Sequence, residues 1–330
     1  MHRGGIGLLK QMGQSFNYLL RMWFTYMKVK HLLLVFFIMA IAGIAAVMVF
    51  TGDGGSEKAA GPRFLYEITG GNGDNGLKDP VYATTDKQGR ILVADSGRRR
   101  VAVFTAKGRF LHEIGGPKSA KPLSYPYGIG LLGDRVLVAD PGADALYEYS
   151  AAGKYEKTWL NHQEGIQPAQ VFVTNDKEVY ITDMAGKQIL VFDKAGSLIK
   201  TIKSRQVALG SPQGLAVTDD GSVWVADGGN YNVKLISPTG ETGKVFDGGP
   251  KQALSMAKGL AVDSKGRIYV ADTLANLVRV FDEDGNSLAG FTAEPEEKTN
   301  FNMPVGIFID DDDKIYIADQ GNNRIQVWGY

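Results

Sequence analysis

The amino-acid sequence predicts an all-β fold, a six-bladed β-propeller, behind one apolar segment long enough to cross a membrane. Three observations predict it. An apolar, β-branched run ending in Asp recurs six times, as ILVAD to Asp95, VLVAD to Asp140, VYITD to Asp183, VWVAD to Asp227, IYVAD to Asp272 and IYIAD to Asp319. The steps between these aspartates are 45, 43, 44, 45 and 47 residues, a period that fits four short strands per unit. Glycine supplies 42 of the 330 residues, as a chain with many tight turns requires.

Each unit carries the same sub-pattern. A lead-in turn comes first, as in Pro126-Tyr127-Gly128, Pro212-Gln213-Gly214 and Pro304-Val305-Gly306, with Pro80 and Pro168 in the same slot and Ala257 as the exception. An apolar strand, a polar hairpin such as Asp263-Ser264-Lys265-Gly266, and the run ending in Asp follow. A Gly/Asn-rich turn leads to a third strand, and a turn holding Gly108, Gly153, Gly196, Gly240 or Gly285 leads to a fourth. The sixth unit stops at Tyr330, after its third strand. Its fourth is expected from the front of the domain, because Arg63-Phe64-Leu65-Tyr66-Glu67-Ile68 mirrors Arg109-Phe110-Leu111-His112-Glu113-Ile114. Such a strand closes the ring and removes an open sheet edge.

Ahead of the repeats, residues 1–31 hold Arg3, Lys10, Arg21, Lys28 and Lys30 and no acidic residue. Leu32 to Phe50 is an uncharged apolar run of 19 residues. At 1.5 Å per helical residue it nearly matches a hydrocarbon core of about 30 Å. The charge bias predicts a cytoplasmic N-terminus and an exported remainder, periplasmic or extracellular. A cleaved signal peptide starting at Met27 is the competing reading, but cleavage after Ala42 would leave an apolar tail. The expected organisation is a basic segment (1–31), a signal anchor (32–50), a linker (51–61) and the propeller (62–330).

Asp319-Gln320-Gly321-Asn322-Asn323-Arg324-Ile325 resembles the core motif of the NHL repeat family, and Asp227-Gly228-Gly229-Asn230 follows it in the fourth unit. Pro141-Gly142-Ala143-Asp144 and Met184-Ala185-Gly186-Lys187 depart from it. The resemblance spans about residues 61–330 and implies the fold; the fold alone does not imply a function.

Composition excludes several chemistries. With no cysteine, disulfides, Cys-ligated zinc and iron–sulfur clusters are ruled out. Zero net charge gives no electrostatic case for nucleic-acid binding. Of four histidines, His2 and His31 precede the propeller and His112 lies mid-strand, so only His162 is expected on the face where first strands begin. One histidine does not make a zinc site. No catalytic, metal-binding or cofactor-binding residue is therefore assigned. Asp310-Asp311-Asp312-Asp313 lies in a lower hairpin and lacks the spacing of a calcium loop.

The repeat aspartates Asp95, Asp140, Asp183, Asp227, Asp272 and Asp319 are read as structural, accepting backbone hydrogen bonds within their own turns. A candidate ligand face is read where first strands begin and second strands end, here the upper face. It comprises Tyr82, Arg98, Arg99, Tyr125, Tyr127, Gln170, Gln213, Tyr231 and Lys258. Arg98 stands where the motif has Asn and is expected to be free for anions or carboxylates. The expected function is a tethered binding or scaffold module for a protein, peptide or glycan of the cell envelope. The alternatives are a propeller enzyme of the lyase or lactonase kind with a channel metal, and a structural subunit of a membrane complex.

Overall fold

The aspartate-ended runs are strands, and each is the second in a radial sheet. A computed structural model describes residues 61–71, 73–161, 165–250, 253–288, 291 and 299–330. Six antiparallel sheets stand around one axis. Blade 1 is Pro80–Thr85, Ile91–Asp95, Arg100–Phe104 and Phe110–Ile114, in that spatial order. Blades 2, 3 and 4 repeat it, with second strands Arg135–Asp140, Val179–Asp183 and Val223–Asp227. Among the described residues blade 5 has three strands, and Ser287 makes a single bridge to Phe281 where the fourth was expected.

The burial patterns explain the sequence patterns. Second strands are covered on both faces by neighbouring blades, so they read as unbroken apolar runs rather than alternating ones. Outer strands face solvent on one side, and Phe110–Ile114 alternates accordingly. The core is divided into six clusters, each contributed mainly by two adjacent blades; Ala83 and Ile91 of blade 1, for instance, pack on Tyr316 and Ile325 of blade 6.

Closure follows the expected route. Arg63–Ile68 lies on the outer side of Arg324–Gly329, antiparallel, with Phe64 opposite Trp328 and Ile68 opposite Ile325. The Phe64 and Trp328 rings meet edge to face at 5.7 Å, and Glu67 accepts from Arg324 at 2.8 Å. Among the described residues no helix is long and apolar enough to cross a membrane; Leu32 to Phe50 and His162 lie outside them.

Candidate functional site

The upper face is built on the six aspartates. Every one is fully buried, which an unpaired carboxylate could not tolerate. Their backbone donors correct the expectation from sequence. They come chiefly from the lead-in segment of the same blade, and the turn that follows the Asp adds the Gly186 N–H to Asp183 and the Gly142 and Ala143 N–H groups to Asp140. Asp95 accepts from the Lys78 N–H, Asp140 from Ser124 and Tyr125, Asp183 from Gln167, Asp227 from Gly210 and Ser211, Asp272 from Ser255 and Met256, and Asp319 from Asn302. Each carboxylate thus pins the incoming chain beside the end of its second strand.

A second tie acts on the backbone carbonyl 19 residues before the Asp. Lys234 donates to Asp227 at 2.6 Å and to the Ala208 carbonyl at 3.0 Å. Arg324 joins Asp319 to the Asn300 carbonyl, and Arg279 joins Asp272 to that of Ala253. Burial raises the Asp227 carboxyl, but the Lys234 ammonium and the Ser211 and Gly210 amides outweigh it and hold the group below the usual range.

This network absorbs Arg98, correcting the expectation that it is free. Its guanidinium donates to the Gly76 carbonyl at 2.5 Å and to that of Gly73 at 2.7 Å. In the same position of two other turns, those of blades 4 and 6, Asn230 donates to the Ala208 carbonyl and Asn322 to that of Asn300. Arg98 therefore does the work of the motif asparagine with a longer arm.

Four other candidates turn inward. The second residue after the lead-in proline is Gly in blades 2, 4 and 6, and Gly259 fills the slot in blade 5. First strands of adjacent blades meet there, and a Cβ on Gly214 would lie 2.6 Å from the Lys258 carbonyl oxygen. Blades 1 and 3 carry Tyr82 and Gln170 in that slot. Both are buried, and their side chains hydrogen-bond to each other over the axis. One residue earlier, the Tyr127 hydroxyl donates to the Gln213 side-chain oxygen at 2.8 Å, joining blades 2 and 4. Burial pushes both tyrosine hydroxyls well above their ordinary value, so they stay protonated donors. These residues close over the channel instead of facing solvent. Lys258 is half-buried, and burial lowers its ammonium.

Arg99, Tyr125 and Tyr231 remain exposed. Arg99 and Tyr231 belong to a ring that sequence reasoning did not assemble. The fourth residue after each Asp is left-handed in every blade: Arg99, Asp144, Lys187, Tyr231, Asn276 and Asn323, with φ from 47° to 56°. None is glycine, so each blade stores strain of about 1 kcal/mol to turn one side chain upward. Asn276 and Asn323 use it to accept the Met303 and Asp79 N–H of the next blade. Beside them Leu274, Leu277 and Met303 are 59%, 41% and 42% exposed, and Tyr231 is 53% exposed. Counting four residues on from each Asp finds the ring in the sequence.

The lower face carries the hairpins. Asp310 accepts from the N–H groups of Asp312 and Lys314, Asp312 pairs with Lys314, and Asp313 accepts from Ser264. Three of the four aspartates are thus engaged by their own turn or the neighbouring one, and Asp311 lies in the lining of the central channel. Among the described residues no group of three or more His, Asp or Glu side chains is placed to hold a metal ion.

The comparisons agree with a repeat propeller. The NHL repeat model matches residues 209–234, 254–281 and 301–328, the lead-in to third strand of blades 4, 5 and 6. The chain carries NHL repeats and folds as a six-bladed propeller. It is 32% identical over 165 residues to the E3 ubiquitin-protein ligase NHLRC1 of Mus musculus, covering 48% of this chain and 40% of that protein. The match thus spans two-fifths of the relative's length. A streptogramin B lyase structure aligns with TM-score 0.56 at 20% identity, covering 75% of this chain and 78% of that one. An auxiliary nutrient binding protein from Bacteroides thetaiotaomicron aligns with TM-score 0.60 at 13% identity, covering 78% and 70%. A lyase and a binding protein on one ring show the fold alone.

Proposed function

We propose that the chain is a membrane-tethered, extracytoplasmic propeller scaffold whose upper face holds a protein, peptide or glycan of the cell envelope. The observation carrying this reading is the exposed arc of Tyr231, Leu274, Leu277 and Met303 beside the upturned Arg99 and Lys187. Exposed apolar side chains grouped on one face and rimmed by polar ones are the composition of an interaction site. The tether rests on the apolar run Leu32 to Phe50 and the basic residues before it.

The test is crosslinking and pull-down of the full-length chain from its native membrane. Changing Arg99, Tyr231 and Leu274 to Ala lowers partner capture about tenfold or more, at an unchanged melting temperature. The same changes at Lys107 and Lys194, in lower hairpins, leave capture intact. Loss of capture from the lower set alone would sink the reading. For the tether, a reporter active only outside the cytoplasm works when fused after Tyr330 and fails when fused before Leu32.

A further inference from the structure

The channel is closed above and open below. Its walls are the first strands of all six blades, each the innermost strand of its sheet, so among the described residues one edge of every such strand has no strand paired to it. The space between them is a cavity of about 470 Å³. Tyr82 lies at its upper end, where it bonds to Gln170. The cavity opens among the lower hairpins, at Lys87, Gly133, Asn175 and Asp311.

The chemistry changes along the axis. The half-buried side chains of the wall are apolar, Leu131, Phe172, Val217, Val262 and Phe308 among them, and the charged side chains among the described lining residues stand at the mouth. Of these, Asp86 is already paired with Arg90 at 2.6 Å. A charged group driven into the wall would lose its hydration with no counter-charge to meet it. The unpartnered strand edges, in contrast, offer backbone N–H and C=O groups along the axis. A second cavity of about 320 Å³ between blades 1 and 2 shares Asp86, Lys87, Leu131 and Gly133 with the first. The mouth therefore continues sideways.

The geometry points to a second binding site, distinct from the upper face, that admits a small uncharged molecule with an apolar ring or branched body and a hydrogen-bonding group. The volume lies within the range of small-molecule pockets. The apolar body lies against the side chains, and the polar group meets a strand edge. Longer members of the class extend past Lys87 into the groove between blades 1 and 2.

The probe is 2-naphthol, neutral at pH 7, in equilibrium dialysis against the full-length chain. Saturable uptake of one molecule per chain is expected. Methyl shift changes should be confined to lining residues such as Leu131, Val173, Val262 and Ile309. Thr85 and Val217 are half-buried at the lower end, on blades 1 and 4. Thr85→Trp and Val217→Trp each narrow the mouth and weaken uptake about tenfold; Arg99→Ala on the other face does not. Should one Trp variant melt early, the other and the wild-type methyl map still decide. Non-saturable uptake, or shifts outside the channel, overturns the site. If naphthol fails while a tryptophan-containing peptide shifts the same methyls, the channel receives a protein side chain and the small-molecule reading is wrong.

Discussion

Blades 2 and 4 solve one packing problem with different parts. Both bury an aspartate completely at the end of the second strand, and both aim lead-in N–H groups at it. Blade 4 adds a fully buried lysine, Lys234, which neutralises Asp227 and holds the Ala208 carbonyl. Blade 2 has no cation on Asp140 among the described residues. The Tyr149 hydroxyl instead takes the equivalent carbonyl, that of Lys121, at 2.7 Å, and the Lys121 ammonium sits 4.9 Å over the Tyr147 ring. Burial raises the Asp140 carboxyl beyond what its N–H donors return, whereas Asp227 is lowered. The shared element is the carboxylate–amide pair; the cation is a separate device for the carbonyl and can be replaced by an aromatic one.

The largest effect should come from Lys234→Met. Asp227 would then be a buried, uncompensated charge, at a cost of about 3–5 kcal/mol. Thermal unfolding should show a drop on the order of 10 °C for a domain of this size. Combining it with Asp227→Asn tests the comparison directly. The double variant removes the buried charge together with its cation, so it should recover part of the loss and cost about 1–2 kcal/mol. A double variant worse than Lys234→Met would break the claim that the two devices are separable.

Asp140→Asn should have the smallest effect, within about 1 kcal/mol at neutral pH, because it removes a charge that the fold already disfavours. Its pH dependence is opposite in sign to that of Asp227→Asn. The folded Asp140 carboxyl lies above its ordinary 3.8, so its contribution is full below 3.8 and erodes as pH rises through the folded value. Asp227 lies below 3.8, so its contribution is full above 3.8 and is lost as pH falls through the folded value. Relative to wild type, Asp140→Asn should gain stability from acid to neutral pH and Asp227→Asn should lose it. Parallel melting curves would contradict the assignment of the two carboxyls.

The ring, its blade count and its closing strand were legible in the sequence because they rest on period and on a near-duplicate segment. Second strands were legible for the same reason: burial on both faces leaves an apolar run that no turn interrupts. The aim of single side chains was not. The first strands of blades 1, 3, 4, 5 and 6 shift register just after the lead-in residue, and a one-residue shift reverses which side chains face the axis. Tyr82 and Gln170 were thus grouped with Gln213 and Lys258, one position out of step. The signal that separates them is the glycine that the other four blades keep in that slot. Arg98 was misread for a different reason: its acceptors are backbone carbonyls 22 and 25 residues upstream, which carry no charge pattern. The arc of Leu274, Leu277 and Met303 was missed because isolated apolar residues in a sequence read as core.

The closing strand sets the order of events when the chain is made. Arg63–Ile68 leaves the ribosome before any blade, yet its partner Arg324–Gly329 is made after every other described strand, and the Glu67–Arg324 contact joins residues 257 apart. The length-dependent part of closing such a loop costs about 5 kcal/mol. During synthesis, blades 1 to 5 can pair hairpin by hairpin while the first strand waits and the sixth sheet lacks its outer member. Two nascent copies in that state carry matching halves of the same joint, so each strand can close the other's ring and leave a swapped dimer.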